Sequence, residues 1–190
     1  ALGQRTIKDI EKKLLYWGHA QNIVFGVSLG SILLLAAVGL AITFGVMGVI
    51  NMAHGEFIML GAYTTFVVQQ IIPGNSATAL LVSIPAAFMI AGAAGILLEK
   101  SVIRHLYGRP LETLLATVGV SLLLQQMVRS IFGPLNQAVT SPEILSGSFV
   151  VNAAFAITYN RVFVIIFAAL VIVGLWLLMY RTSFGVRLRA

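Results

Sequence analysis

The sequence contains no cysteine, and this single absence removes disulfides, thiolate metal sites and cysteine nucleophiles together. Charge is nearly as scarce. Only 9% of the 190 residues are Asp, Glu, Lys or Arg, whereas 59% are hydrophobic. A soluble domain carries about 25% charged residues, because water must solvate its surface. The few charges are also unevenly spread: none occurs from Gln21 to Gly55, and none from Phe57 to Leu98. A run of about 20 uncharged apolar residues spans the hydrocarbon core of a bilayer as a helix, and no soluble fold buries runs this long. The sequence therefore predicts an all-α, polytopic transmembrane helix bundle. Residues 23–50 do not form a signal peptide, being longer than an h-region and lacking a small-residue cleavage site. The chain begins at Ala and stops after an Arg-rich stretch, so it is expected to be a piece cut at both ends.

The net charge of +6 lies in short basic clusters beside apolar segments. That placement suits topology signals and lipid headgroups, not nucleic acid. Residues 1–22 place Ile7, Ile10, Leu14 and Trp17 at helical spacing among Lys8, Asp9, Glu11, Lys12 and Lys13, which predicts an amphipathic segment at the membrane interface. Five spans are expected within residues 23–180, at 23–44, 57–72, 77–98, 113–132 and 162–180. The first contains Gly26 and Gly30 at a spacing that lets helices approach closely in lipid. The fourth is more polar, with Thr113, Thr117, Ser121, Gln125 and Gln126, and should face other helices or a pore. Between the fourth and fifth, residues 148–158 are rich in β-formers and predict a small hairpin outside the bilayer.

Residues 45–56, GVMGVINMAHGE, are unusual for their position. Gly45, Gly48 and Gly55 surround Asn51, His54 and Glu56, with apolar sequence on both sides. The pattern predicts a helix broken at membrane depth, which is tolerated only where protein or a water-filled cavity covers the freed backbone. Ionisable residues at such depth are candidates for a transport path, and broken helices aimed at a midplane site are a transporter device. A structural role is open beside it, with Asn51, His54 and Glu56 capping the broken helix ends. His54-Gly55-Glu56 has the H-x-E form of zinc deaminases, but that chemistry also needs a Cys pair. No metal site is expected, since His19 and His105 lie in segments far from His54. With neither a G-x-S-x-G elbow nor a phosphate-binding loop, the chain is not expected to be an enzyme or to hydrolyse ATP itself.

The block ITFGVMGVINMAHGEFIMLGAY (42–63) resembles the signature of the LivH-like, branched-chain amino-acid class of ABC transporter permeases. LLLAAVGLAITFG (33–45), RPLETLLATVGVSLLLQQ (109–126) and YNRVFVI (159–165) extend the likeness, and within the class the chain looks most like urea permease subunits of the UrtB kind. The resemblance implies a subunit of an ATP-driven importer in the bacterial inner membrane, for urea or short amides, with branched-chain amino acids as the alternative. It also implies the partners: a second, homologous permease, two cytoplasmic ATPases that bind the ATP, a periplasmic binding protein, and lipid. No cofactor is expected in this chain. RTSFGVRLRA (181–190) is similar to the opening of the family's cytoplasmic coupling segment, which makes Arg181, Gly185, Arg187 and Arg189 coupling candidates. A self-contained channel for a small solute would need no such segment.

Lys100, Arg104, Arg109, Arg181, Arg187 and Arg189 place the 99–112 loop and the C-terminal stretch inside, and with five spans the N-terminus outside. Because the chain has no native cysteine, Arg104→Cys is a clean probe of this arrangement. Thiol labelling by an impermeant reagent should fail in intact cells and succeed once the membrane is opened. Labelling in intact cells reverses the topology.

Overall fold

The computed structural model describes residues 2–46, 48–152 and 155–181. Its elements run in the order α1 (Leu2–Ala41), a π-helical turn (Ile42–Val46), α2 (His54–Ile71), α3 (Ser76–Ser101), a short 3-10 turn (Ile103–His105), α4 (Pro110–Phe132), α5 (Glu143–Ser146), β1 (Ser148–Asn152), β2 (Phe155–Thr158) and α6 (Tyr159–Arg181). The expected all-α membrane bundle is what is found, with residues 48–53 free of helix where the break was predicted. β1 and β2 pair antiparallel, Ser148 opposite Thr158, as the β-formers there led one to expect.

Among the described residues, four helical segments are long and apolar enough to cross a membrane: Lys12–Gly45, Ser76–His105, Pro110–Phe132 and Tyr159–Arg181. The expected second span, α2, is not among them. Its 18 residues open on His54 and Glu56 and close on Gln69 and Gln70, so its apolar stretch is short. At the N-terminus, α1 continues unbroken for 40 residues, roughly 60 Å, so residues 2–22 share one helix with the start of the first expected span. No proline interrupts residues 2–41, and Gly alone costs a helix only about 1 kcal/mol.

The chain divides into two compact units, residues 1–38 with 143–190, and residues 39–142. In the first, Arg161 of α6 lies over the Phe25 ring of α1 at 3.8 Å, and the Tyr159 N–H donates to the Gly147 carbonyl at 3.0 Å. The second unit contains the break. There α2 and α3 form a hairpin through a tight turn in which Gly74 has φ +95° and the Asn75 side chain accepts from the Thr78 N–H. Pro110 starts α4 at a position where its missing N–H costs nothing, and Gly133, with φ +87°, ends it. At the far end, Gln69 of α2 makes three hydrogen bonds with Thr140, holding the chain after α4 against α2.

Most large apolar side chains are exposed, including Phe88, Leu111, Leu115 and Ile166, as expected of surfaces that meet lipid. The small buried core, Val49, Ala53, Leu98 and Ile103, lies at the break itself, with Phe57, Val102 and Val120 packed against it. The non-helical backbone is thus covered by protein, the condition a bilayer imposes.

Gly48 turns the chain with φ +66°, a conformation that costs other L-residues about 1–2 kcal/mol. Gly48→Ala should therefore lower the thermal stability of the purified full-length permease. Gly26→Ala, inside a regular helix with open space around the added carbon, should not.

Candidate functional site

The break is built by giving partners to several of the backbone groups it frees. The Val49 N–H donates to the Thr43 carbonyl at 3.2 Å, across the π-helical turn. The Asn51 side chain, on a residue only 8% exposed, accepts from the Ala53 N–H at 3.0 Å, while its backbone carbonyl accepts from the His54 N–H. Thr117 of α4 does the most. Its hydroxyl accepts from the Met52 N–H at 3.2 Å and donates within reach of the carbonyls of Leu114, at 2.9 Å, and Ile50, at 3.4 Å. Thr117 is fully buried.

A capping role was left open for Asn51, His54 and Glu56; the Asn51 side chain bonds a backbone N–H of the break, and the Glu56 carboxylate bonds side chains of α4. No side chain caps the N-terminus of α2, whose cap residue is Ala53. Asn51 instead makes a tight side-chain turn that fixes the approach to the helix.

Glu56 faces α4. Its Oε1 accepts from Ser121 Oγ and from Gln125 Nε2, each at 2.7 Å, and those two donors are themselves 3.4 Å apart. Thr113, Thr117, Ser121 and Gln125 recur every fourth residue and so share one stripe of α4. The lower pair is buried, with Thr113 bonded to the Leu106 and Arg109 carbonyls, and the upper pair holds Glu56. The polar character of this helix was evident in the sequence, but the partner of Glu56, 65 and 69 residues away, was not. Gln126, grouped with the stripe, is exposed on another face.

His54 points elsewhere. Its ring lies so close to Gly39, near the end of α1, that a Cβ there would meet His54 Cε1 at 2.9 Å and Nε2 at 3.3 Å. His54 and Asn51 line a cavity of about 530 Å³ together with Thr43, Glu99 and a mainly apolar wall that includes Phe57, Phe88 and Leu98. Gly92 and Gly95 of α3 open part of that wall. The predicted group is therefore divided: Asn51 and His54 belong to the cavity, Glu56 to the α4 stripe. Successive helix residues turn by about 100°, so residues 54 and 56 could not share a face. Gly48 lies beside a smaller cleft with Tyr107 and Pro110, and Gly55 is exposed. Arg181, at the end of α6, is exposed, while Gly185, Arg187 and Arg189 lie outside the described residues.

Residues 22–190 match the model of a family described as branched-chain amino acid transport system / permease component. The chain belongs to this family. It is 29% identical to the high-affinity branched-chain amino acid transport system permease protein BraD of Pseudomonas aeruginosa, across 90% of this chain and 58% of that protein. With the permease protein LivH of Escherichia coli (strain K12) the identity is 32%, across 75% of this chain and 47% of the relative. A probable branched-chain amino acid transport permease protein LivH of Methanocaldococcus jannaschii is 26% identical, across 97% of this chain and 56% of the relative. The chain thus spans about half the length of the curated relatives it matches. No solved structure matches it significantly. The LivH-like class is as the 42–63 block suggested, and the chain is a multi-pass protein of the plasma membrane. The finer likeness to urea permeases finds no support among these relatives, which are named as branched-chain amino acid transport proteins.

Filling the space between α1 and α2 should disturb the cavity without touching Glu56. Gly39→Val forces the His54 ring aside, an overpacking that costs about 1–3 kcal/mol. Its expected signature in the full-length permease is a lowered melting temperature, relieved by His54→Ala in the same chain. Additive losses in the double variant would show that the two residues do not press on each other.

Proposed function

We propose that this chain is the break-bearing part of a permease subunit that gives branched-chain amino acids a gated path through the membrane, in an importer driven by separate ATPase subunits. The observation that carries the reading is the cavity beside the break. At about 530 Å³ it falls within the range of small-ligand sites, about 300–1,000 Å³. Its wall is apolar over most of its lining, with the polar side chains of Asn51, His54, Thr43 and Glu99 placed among Phe, Leu, Val and Ile. An aliphatic side chain gains from such a wall at about 25 cal/mol per Å² of apolar surface removed from water. Urea has little apolar surface and would leave most of this wall without a favourable contact. The chemistry of the lining and the names of the relatives therefore favour the amino-acid reading over urea.

In this reading Asn51 and His54 line the path, while Glu56 positions α2 through Ser121 and Gln125 and does not touch the solute. The ATPases, a homologous second permease and an extracytoplasmic binding protein are the proposed partners. ATP bound to the ATPases would shift the permease between states of the path, as any ligand does when it binds one state better. Arg181, Gly185, Arg187 and Arg189 are the proposed contacts of the coupling segment.

The test uses the full-length permease in its complete importer, reconstituted in vesicles. Leucine uptake should be saturable and unaffected by excess urea. Asn51→Ala and His54→Ala should each lower uptake about tenfold, the effect of one lost polar contact. Glu56→Gln can still bond Ser121 and Gln125 and should retain most activity, whereas Glu56→Ala should not. Urea uptake without leucine uptake would overturn the substrate assignment. Wild-type rates in both the Asn51 and His54 variants would remove the cavity from the path.

A further inference from the structure

The unit formed by residues 1–38 and 143–190 holds a second cavity, of about 310 Å³, that the transport reading does not use. It lies between α1 and the first turns of α6, lined by Ser28, Ile32, Thr158, Asn160, Arg161 and Val164. Three observations converge there. Arg161 is the sole Lys or Arg in residues 133–161, and it makes no ion pair with any described residue. Its guanidinium carbon lies 3.8 Å from the centre of the Phe25 ring, a cation–π contact that uses none of its N–H donors. Ser28, which is 4% exposed, lines the cavity, and its hydroxyl bonds to no described residue. No buried side-chain polar atom among the described residues lacks a partner, so this hydroxyl opens into the cavity, where a ligand oxygen can accept from it.

The location restricts the ligand. Tyr159–Arg181 is an apolar segment long enough to cross the bilayer, so Arg161 in its first turn lies at the depth where hydrocarbon meets headgroup. The first turn of a 23-residue helix adds the positive end of its dipole on the same side. Ile32 and Val164 supply an apolar floor beneath the polar groups. The geometry points to a site for the phosphate of an anionic phospholipid, in which Arg161 makes a forked pair with the two non-bridging phosphate oxygens and the Ser28 hydroxyl donates to one of them. Asn160 and Thr158 face the glycerol side of the headgroup. A free phosphate shares the anion chemistry but has nothing to place against Ile32 and Val164.

Native mass spectrometry of the full-length permease complex, titrated with phosphatidylglycerol or phosphatidylcholine, tests the assignment. The wild type should retain phosphatidylglycerol about tenfold more tightly than Arg161→Gln, and about threefold more tightly than Ser28→Ala. Arg161→Lys, which keeps charge but not the fork, should fall between wild type and Arg161→Gln. Phosphatidylcholine, whose phosphate is balanced by its own choline cation, should be held less tightly than phosphatidylglycerol by the wild type and should differ less among the four. An unchanged melting temperature of the complex in all four shows that the variants fold. Inorganic phosphate in large excess should not displace the lipid. Equal phosphatidylglycerol retention by wild type and Arg161→Gln overturns the site, and displacement by inorganic phosphate overturns the lipid as its ligand.

Discussion

Everything distinctive in this chain follows from one constraint: a peptide group in hydrocarbon must bond to protein, because no water is there to take its place. A helix meets the constraint by itself. Residues 48–53 do not, and their partners come partly from Asn51 within the segment and partly from Thr43 and Thr117 outside it. The Thr117 hydroxyl accepts the Met52 N–H and lies within reach of the Ile50 carbonyl, so one side chain on α4 serves both directions of the broken backbone. An unsatisfied buried polar group costs about 1–3 kcal/mol, which makes Thr117 a larger contributor than its size suggests. Val49, Ala53, Leu98 and Ile103 then close over the same segment. The core of this unit exists to cover a break, which inverts the arrangement of a soluble domain, where loops lie outside and cores hold regular structure.

The break also accounts for the short α2. Met52, two residues before its start, bonds Thr117, seven residues along α4 from Pro110, or about 10 Å by helical rise. At the other end α2 and α4 finish together, with Tyr63 and Phe66 against Phe132 and Gln69 bonded to Thr140. Thus α2 starts inside the layer that its neighbours cross fully, and residues 48–53 fill the remaining depth.

The sequence made these features legible to different degrees. Charge-free runs locate α1, α3, α4 and α6 because the bilayer reads composition over about 20 residues, and the richness of residues 148–158 in β-formers is enough to locate β1 and β2. The glycines with Asn51, His54 and Glu56 mark the break. What stayed hidden depends on contacts far apart in the chain: Ser121 and Gln125 as the donors to Glu56, Gly39 as the residue that makes room for His54, and the cavity wall contributed by Phe88, Gly92 and Leu98. The four-residue repeat from Thr113 to Gln125 was a usable signal, since it announces a stripe needing a polar partner. The separation of His54 from Glu56 was legible too, being fixed by helical geometry.

That separation gives α2 a mechanical property. His54 faces the cavity and Glu56 faces α4, nearly opposite each other at one level of a single rigid helix. A rotation of α2 about its own axis cannot sweep one without the other. Turning His54 out of the cavity drags Oε1 away from both Ser121 and Gln125, so the helix behaves as a gear with a tooth on each side. The orientation in which both teeth engage is a detent, and leaving it requires two hydrogen bonds to a carboxylate to break in the same movement.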